Sequence, residues 1–235
     1  MKFAIIGTGF IFQKHIEAIR YIGGEITEAI NEHSFLDYKK LIDKTKAEYV
    51  VVLTPNYLHT KMVEYAAKKG KIVLCEKPLA ITPVDIQRLA KYDNVFVVLQ
   101  LRYHPKLKEM KKAIKKNNKV KLDIAVYRNK KYHKSWKGND KLSGGIAFNL
   151  GIHYVDLVFH LLKGKSAEME ISLSTNETKE KARRIIEING KKFNLSSKEN
   201  LSEENLHKFV YKDLIRGKGV RPKELKELTE LIYEV

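Results

Sequence analysis

Two stretches of the chain set chemically useful groups at places where an α/β sheet exposes them. In Val73-Leu74-Cys75-Glu76-Lys77-Pro78-Leu79 an apolar run ends in a charged pair and is stopped by proline. Val73–Cys75 read as the end of a buried strand, so Glu76 and Lys77 emerge at its carboxyl end, where open α/β sheets bind ligands. An ammonium there can reach a hydroxyl and a cofactor ring together and stabilise charge that develops in a reaction. The plain alternative is a solvated ion pair at a strand end. The second stretch is Gly7-x-Gly9, directly after an apolar strand and at the start of a helix. Gly7 permits the tight turn, Gly9 lets a pyrophosphate approach the backbone, and the helix N-terminus offers N–H groups and positive potential. Phe12 stands where a third glycine is usual, and a simple strand–helix turn is the competing reading. A third group lies far along the chain. Asn149 and His153, four apart on an apolar helix, share one face, with Gly145 and Gly151 allowing close approach. Histidine titrates near neutral pH and suits a general base, although a satisfied core histidine fits the same pattern.

The elements that must hold these groups alternate in the first half. Strands are expected at Lys2–Ile6, Glu25–Ile30, Glu48–Leu53, Ile72–Cys75 and Val95–Leu99, separated by helices with apolar residues at helical spacing. Ser34 is expected to cap the short helix that carries Leu36, Tyr38 and Leu41-Ile42. Thr82-Pro83 supplies a cap followed by proline at the first helical position. The alternation predicts a doubly wound parallel sheet, an α/β Rossmann domain over residues 1–105. Beyond Pro105 the pattern changes to a smaller α+β domain, residues 106–235, built on a mainly antiparallel sheet. Its parts are an alternating strand at Val120–Tyr127, a polar and aromatic loop Arg128–Ser143, an apolar helix to Leu162, and strands at Ala167–Leu173 and Arg184–Ile188. A hairpin at Asn189-Gly190 and two closing helices, roughly 202–216 and 221–233, finish the chain.

Composition narrows the class. Hydrophobic residues make up 43% and charged residues 31% of the 235, as in ordinary globular proteins. No apolar run approaches the ~20 residues of a membrane span, and the N-terminal apolar segment is too short for a signal peptide. The single cysteine, Cys75, excludes an intrachain disulfide and fits a reducing cytoplasm, and its apolar strand suits packing rather than nucleophilic chemistry. The net charge of +17 raises the question of nucleic acid. Arginine, however, accounts for only eight of the 45 basic residues, the lysines are spread over every segment, and no zinc-finger, aromatic-platform or zipper pattern accompanies them. The charge reads as a solvated surface, part of which can steer an anionic ligand such as a nucleotide or uronic acid. No metal-ligand spacing is apparent.

The motifs taken together resemble the Gfo/Idh/MocA oxidoreductase family, which pairs a Rossmann domain with an α+β substrate domain. The matching residues are Ile6-Gly7-Thr8-Gly9-Phe10-Ile11 with His15, Thr54-Pro55-Asn56-Tyr57-Leu58-His59, Cys75-Glu76-Lys77-Pro78-Leu79 and Asn149-x-Gly151-x-His153-x-x-Asp156. Within the family, Pro55–His59, Leu99-Gln100-Leu101-Arg102-Tyr103-His104-Pro105 and Lys134-Ser135-Trp136-Lys137-Gly138 resemble the UDP-N-acetylglucosaminuronate 3-dehydrogenases. The chain is shorter than typical members between Leu162 and Ile188, which puts oligomerisation through that sheet in question.

The resemblance implies NAD as cofactor, held by Gly7, Gly9, Phe10, Ile11, Asn31, Thr54, Pro55, Asn56, His59, Glu76 and Lys77. Asn31, at the end of the second strand, occupies the place of the usual ribose-binding acid. It repels no phosphate, so NADP stays open. His59 either lines the cofactor site or is a surface residue at a helix start. Lys77, His153 and Asn149 would be catalytic, and many family members carry Asp where Asn149 stands. Asparagine accepts no proton, so acid–base work falls to His153 and Lys77. Arg102, Lys134, Trp136 and Lys137, with Asn149 and His153, are candidates to hold the substrate, Trp136 by stacking, and the basic loop can equally be solvated charge. His160 is expected to be structural. The implied activity is NAD-dependent oxidation of the 3-hydroxyl of UDP-N-acetylglucosaminuronate in surface-polysaccharide sugar synthesis, by a cytoplasmic homo-oligomer (dimer or tetramer) with a nucleotide-sugar partner and neither membrane nor nucleic acid. Two alternatives remain: a family dehydrogenase of another sugar or an inositol-like polyol, and a non-catalytic dinucleotide-binding relative. The Lys77-Pro78 bond is expected to be cis, since the chain turns sharply there.

Overall fold

The computed structural model describes residues 1–31, 37–176, 178–195 and 205–234. They form two compact units, one of Met1–Leu99 with His207–Tyr233, the other of Gln100–Leu206.

In the first unit, β1 (Lys2–Ile6), α1 (Phe12–Tyr21), β2 (Glu25–Ile30), α2 (Tyr38–Lys44), β3 (Tyr49–Val52), α3 (Asn56–Lys68), β4 (Ile72–Cys75), α4 (Pro83–Leu89) and β5 (Val95–Val97) follow one another. The five strands are all parallel, in the order β2-β1-β3-β4-β5. Strands β3 and β5 are buried throughout and β1 from Phe3 onward, as helices on both faces of a parallel sheet require. The order reverses between β1 and β3, so the crevice at their carboxyl ends is the topological switch point where such sheets bind ligands. Thr82 caps α4 by accepting from Asp85 N at 3.2 Å, with Pro83 at its first position. Ser34 and Leu36, expected to begin the helix before β3, lie outside the described residues.

The second unit contains α5 (Leu107–Ala113), β6 (Asn117–Ala125), α6 (Lys130–Lys134), α7 (Asp140–Ser143), α8 (Ile152–Leu162), β7 (Ser166–Ser174), β8 (Arg183–Ile188) and β9 (Lys191–Asn194). Its sheet has the order β7-β6-β8-β9, with β6–β7 parallel and the other two pairings antiparallel. Asn189 (φ 52°) and Gly190 (φ 84°) make the β8–β9 turn, the left-handed pair a tight hairpin demands. The Arg128–Ser143 segment, expected as a loop, holds two short helices and a 3-10 turn (Trp136–Gly138). Their starts are capped by the side chains of Asn129, Ser135 and Asn139, and this capping turns a polar stretch into helix. A stretch of helix, Asp140–Leu162, is long and apolar enough to cross a membrane, contrary to expectation from the sequence, but 67% of its apolar window is buried in the protein. It is the core helix of its unit: a Cβ on Gly151 would stand 2.7 Å from Leu173 Cδ1, so any larger residue there would have to displace that leucine methyl on β7.

The sequence assigned everything after residue 105 to the second domain. The structure instead returns α9 (His207–Leu214) and α10 (Lys226–Glu234) toward the first unit, to which His207–Tyr233 belong. Helix α9 buries His207, Val210, Tyr211 and Leu214, spaced i, i+3, i+4, i+7, and packs along α1. Val97 N donates to Val220 O at 2.9 Å, closing the β5 edge of the sheet. Leu74, 1% exposed in central strand β4, tests this core: Leu74→Ala is expected to lower the unfolding free energy by about 2–5 kcal/mol in urea denaturation.

Candidate active site

The glycine turn meets the requirements of a dinucleotide. Gly7 has φ +110°, and a Cβ there would stand 2.8 Å from the Leu53 carbonyl carbon and oxygen, so β1 can pass β3 this closely only with glycine. At Gly9 a Cβ would meet nothing within 4 Å, which leaves open space beside the backbone. Helix α1 begins with no side-chain cap at Ile11, as a helix that uses its N-terminus for an external anion should. Phe10 beside it is 85% exposed. Asn31 follows β2 directly, where Gly7 N donates to Ile30 O at 2.8 Å. Pro55 is half-buried, while Thr54 and Asn56 are buried at the β3–α3 junction.

At the end of β4, Lys77 is half-buried and the Lys77-Pro78 bond is cis, as the turn led us to expect. The Glu76 carboxylate, only 9% exposed, turns inward. Its Oε1 accepts from His15 Nε2 at 3.0 Å and from His207 Nε2 at 3.3 Å, and its Oε2 from the Lys77 backbone N–H at 3.1 Å. Burial alone pushes the Glu76 carboxyl up, but the hydrogen bonds and charge of His15 and His207 overcome it and hold the group well below the carboxylate range. This geometry gives the Glu76 side chain a supporting place beside Lys77. Of the two readings of His59, the surface one does not hold: the residue is 1% exposed, with Nδ1 2.7 Å from Pro78 O and Nε2 2.7 Å from Thr54 O. Cys75 is fully buried, and burial followed by the Glu76 charge pushes its thiol well up, which leaves a packing group.

In the second unit Asn149 lies in a π-helical turn, Ala147–Gly151, that leads into α8, and His153 follows in the first turn of α8. Such turns recur at functional sites because the extra residue re-aims side chains. Asn149 Nδ2 donates to Tyr132 Oη at 2.7 Å, which ties it to α6, and His153 is half-buried. Arg102 was offered to a substrate anion. Its Nε donates to Asp156 Oδ2 at 2.9 Å and its Nη2 to Oδ1 at 2.6 Å, with Asp156 1% exposed, so its charge is already matched by α8. Lys134 is exposed, Trp136 and Lys137 are half-buried, and Lys137 Nζ lies 5.7 Å from the Trp136 ring centroid. Burial, then the Arg128 charge, draws the Lys137 ammonium down. His133, Lys134, Ser135, Trp136, Asn139 and Leu142 line an open hollow of about 480 Å³.

Two family models match the chain. Residues 24–94 match the oxidoreductase family's NAD-binding Rossmann fold, and residues 111–187 its C-terminal alpha/beta domain. Together they cover more than half of the sequence. The chain belongs to the Gfo/Idh/MocA oxidoreductase family. The first match begins at Gly24, after the glycine turn, so the turn's fit to NAD rests on the geometry of Gly7, Gly9 and α1. Among curated relatives, myo-inositol 2-dehydrogenase of Thermotoga maritima is 24% identical, over 69% of this chain and 55% of its own length. Glucose-6-phosphate 3-dehydrogenase of Bacillus subtilis is 27% identical, over 76% and 60%. The chain thus spans little more than half the length of these relatives. The structure of the WlbA (WbpB) dehydrogenase from Thermus thermophilus, in complex with NAD and UDP-GlcNAcA, is 27% identical with a TM-score of 0.83, covering 99% of this chain and 94% of that one.

Sequence reasoning missed His207 and Tyr211. The apolar spacing of α9 announces a buried face, but nothing local says which sheet it covers. Two expectations follow. Arg102→Met strands a buried carboxylate and should cost about 3–5 kcal/mol in urea denaturation, with much of the loss restored by adding Asp156→Leu. Acid should destabilise the fold. Burial lowers the pKa of His15, and that of His104 from 6.5 to about 4, with Lys106 adding to the latter. The unfolded chain therefore binds protons below about pH 6.5 that the folded chain refuses, and stability falls as pH drops from there toward about 4. Thermal unfolding at pH 5 should lie about 5 °C or more below that at pH 7.5.

Proposed function

We propose that the chain oxidises a secondary hydroxyl of a nucleotide sugar with NAD, the best-supported substrate being UDP-N-acetylglucosaminuronate at its 3-position. The observation that carries this reading is the half-buried Lys77 at the carboxyl end of β4, in a parallel sheet whose glycine turn suits a dinucleotide. Likeness to the Thermus WlbA dehydrogenase over nearly the whole chain supports the choice of sugar. When bound, NAD accepts the hydride from the carbinol carbon.

The chain's own groups handle the proton and the charge. His153 takes the hydroxyl proton, since its ordinary pKa lies near the working pH. Lys77 donates a hydrogen bond to the oxygen on which negative charge develops. Asn149, steadied by Tyr132, orients the sugar. Lys134, Trp136 and Lys137 face the anionic and aromatic parts of the nucleotide, Trp136 by stacking. Arg102 acts from behind as the partner of Asp156. The curated relatives favour a second reading, a free polyol or hexose phosphate as substrate.

A panel of UDP-N-acetylglucosaminuronate, myo-inositol and glucose 6-phosphate with NAD, followed by NADH absorbance, separates the two. Turnover of inositol or glucose 6-phosphate in preference to the nucleotide sugar would overturn the first. Lys77→Ala is expected to reduce turnover by about 10²–10³-fold while NAD affinity stays within about twofold. Wild-type turnover in that variant would remove Lys77 from the chemistry.

A further inference from the structure

The first unit buries three histidines and a tyrosine that the proposed chemistry does not use: His15, His59, His207 and Tyr211, none more than 5% exposed. All four converge on the backbone beside Lys77. An ionised carboxylate only accepts, so His15 Nε2 and His207 Nε2, at 3.0 and 3.3 Å from Glu76 Oε1, must both carry protons. A neutral His15 protonated at Nε2 has a bare Nδ1, and the Tyr211 hydroxyl 2.8 Å away donates to it. The remaining carboxylate oxygen, Oε2, receives the Lys77 N–H at 3.1 Å. The donors therefore run in one direction, from Tyr211 through His15 to Glu76, with His207 and Lys77 arriving from two other sides. On the far side of the lysine, His59 lies between the Pro78 and Thr54 carbonyls, each 2.7 Å from a ring nitrogen, and its neutral ring donates its one N–H to one of them.

We propose that His15, His59, His207 and Tyr211 are positioning residues for Lys77, fixing the backbone on both sides of it through the Glu76 carboxylate and the Pro78 carbonyl. The inference rests on the reading of Lys77 as the group that meets substrate. Helix α9 supplies two of the four residues, which makes the returning C-terminal segment part of the apparatus that presents the lysine. A flexible four-carbon side chain can hold a hydroxyl steadily only if its own Cα is fixed, and a small misplacement there lowers turnover more than binding. His15, Glu76 and His207 also bring their ligand atoms within 4.8 Å of one another, a spacing that a zinc ion would accept. A metal would need Nε2 of both histidines stripped of its proton, so the two arrangements exclude each other.

Three variants and two spectroscopic readouts test the proposal. Tyr211→Phe keeps the buried ring and removes the hydroxyl. His207→Ala removes a donor that His207→Gln can replace. Tyr211→Phe and His207→Ala are expected to lower kcat by about tenfold with KM for NAD within about twofold, and His207→Gln to recover most of the loss. Imidazole ¹⁵N spectra of the wild type should show His15 and His207 both as Nε2–H tautomers, and the Lys77 amide resonance should move in Tyr211→Phe. The proposal is overturned if both variants lose thermal stability at unchanged kcat, if either histidine is the Nδ1–H tautomer, or if the purified protein holds stoichiometric zinc. Should the wild type oxidise no sugar while the tautomers and the Lys77 amide shift appear as described, the functional reading fails and the positioning network stands.

Discussion

The first unit depends on how one buried carboxylate is satisfied. Glu76 ends a central parallel strand in surroundings that penalise its charge, and removing such a group from water costs several kcal/mol unless donors replace the lost hydration. Three donors do so, and they come from widely separated places: α1, the start of α9, and the residue next to Glu76 itself. Because one donor belongs to α9, the carboxylate at the end of β4 is not satisfied by the continuous stretch of chain that forms the sheet. The polypeptide leaves after β5, builds a second sheet, and returns to finish the first. The division of the chain into residues 1–99 with 207–233, and 100–206 between them, places His207 and Tyr211 in the same unit as Glu76.

The same constraint explains what could be read from the sequence and what could not. Strand–helix alternation is a local signal, carried by periodicity, glycine turns and the Thr82-Pro83 cap. β1, β2 and β4 accordingly begin and end where expected, and β3 and β5 fall within their expected ranges. The hairpin at Asn189-Gly190 was equally legible, because only a left-handed pair fits so short a turn. The destination of α9 was not. His207 meets a residue 131 positions earlier and Tyr211 one 196 positions earlier, and no local pattern encodes a partner at that distance.

Charge was the least legible quantity. A basic residue in a sequence looks available to an anion, whereas Arg102 has its guanidinium closed on Asp156 within the second unit. The spacing of the motif that contains Asp156 gave no hint that its acid faces this arginine, since the two lie 54 residues apart and meet only because α8 packs on the 3-10 turn Gln100–Tyr103. Glu76 is a second case of charge whose place the local sequence leaves open. Beside a lysine at a strand end it resembled half of a surface pair, yet its side chain points into the core while that of Lys77 stays half-buried. Alternation along an extended backbone separates neighbouring side chains in this way, and a charged dipeptide can thus contribute one buried anchor and one reactive group.

The Arg128–Ser143 segment shows how a polar stretch acquires order. Residue types alone suggested a loop, and a loop would have to lose conformational freedom in order to hold a ligand. Three caps, from Asn129, Ser135 and Asn139, each satisfy a backbone N–H that would otherwise face water, and they convert the stretch into successive short helical turns. Trp136 and Lys137 sit on the middle one, the ammonium already over the indole. Asn149 reaches the same segment through the Tyr132 hydroxyl, so the π-helical turn before α8 and the basic segment are held in register. Groups ordered in advance lose less entropy on binding than groups on a mobile loop. The side chains offered here to a nucleotide are therefore distinguished from the other lysines of this basic chain by how they are held rather than by their charge.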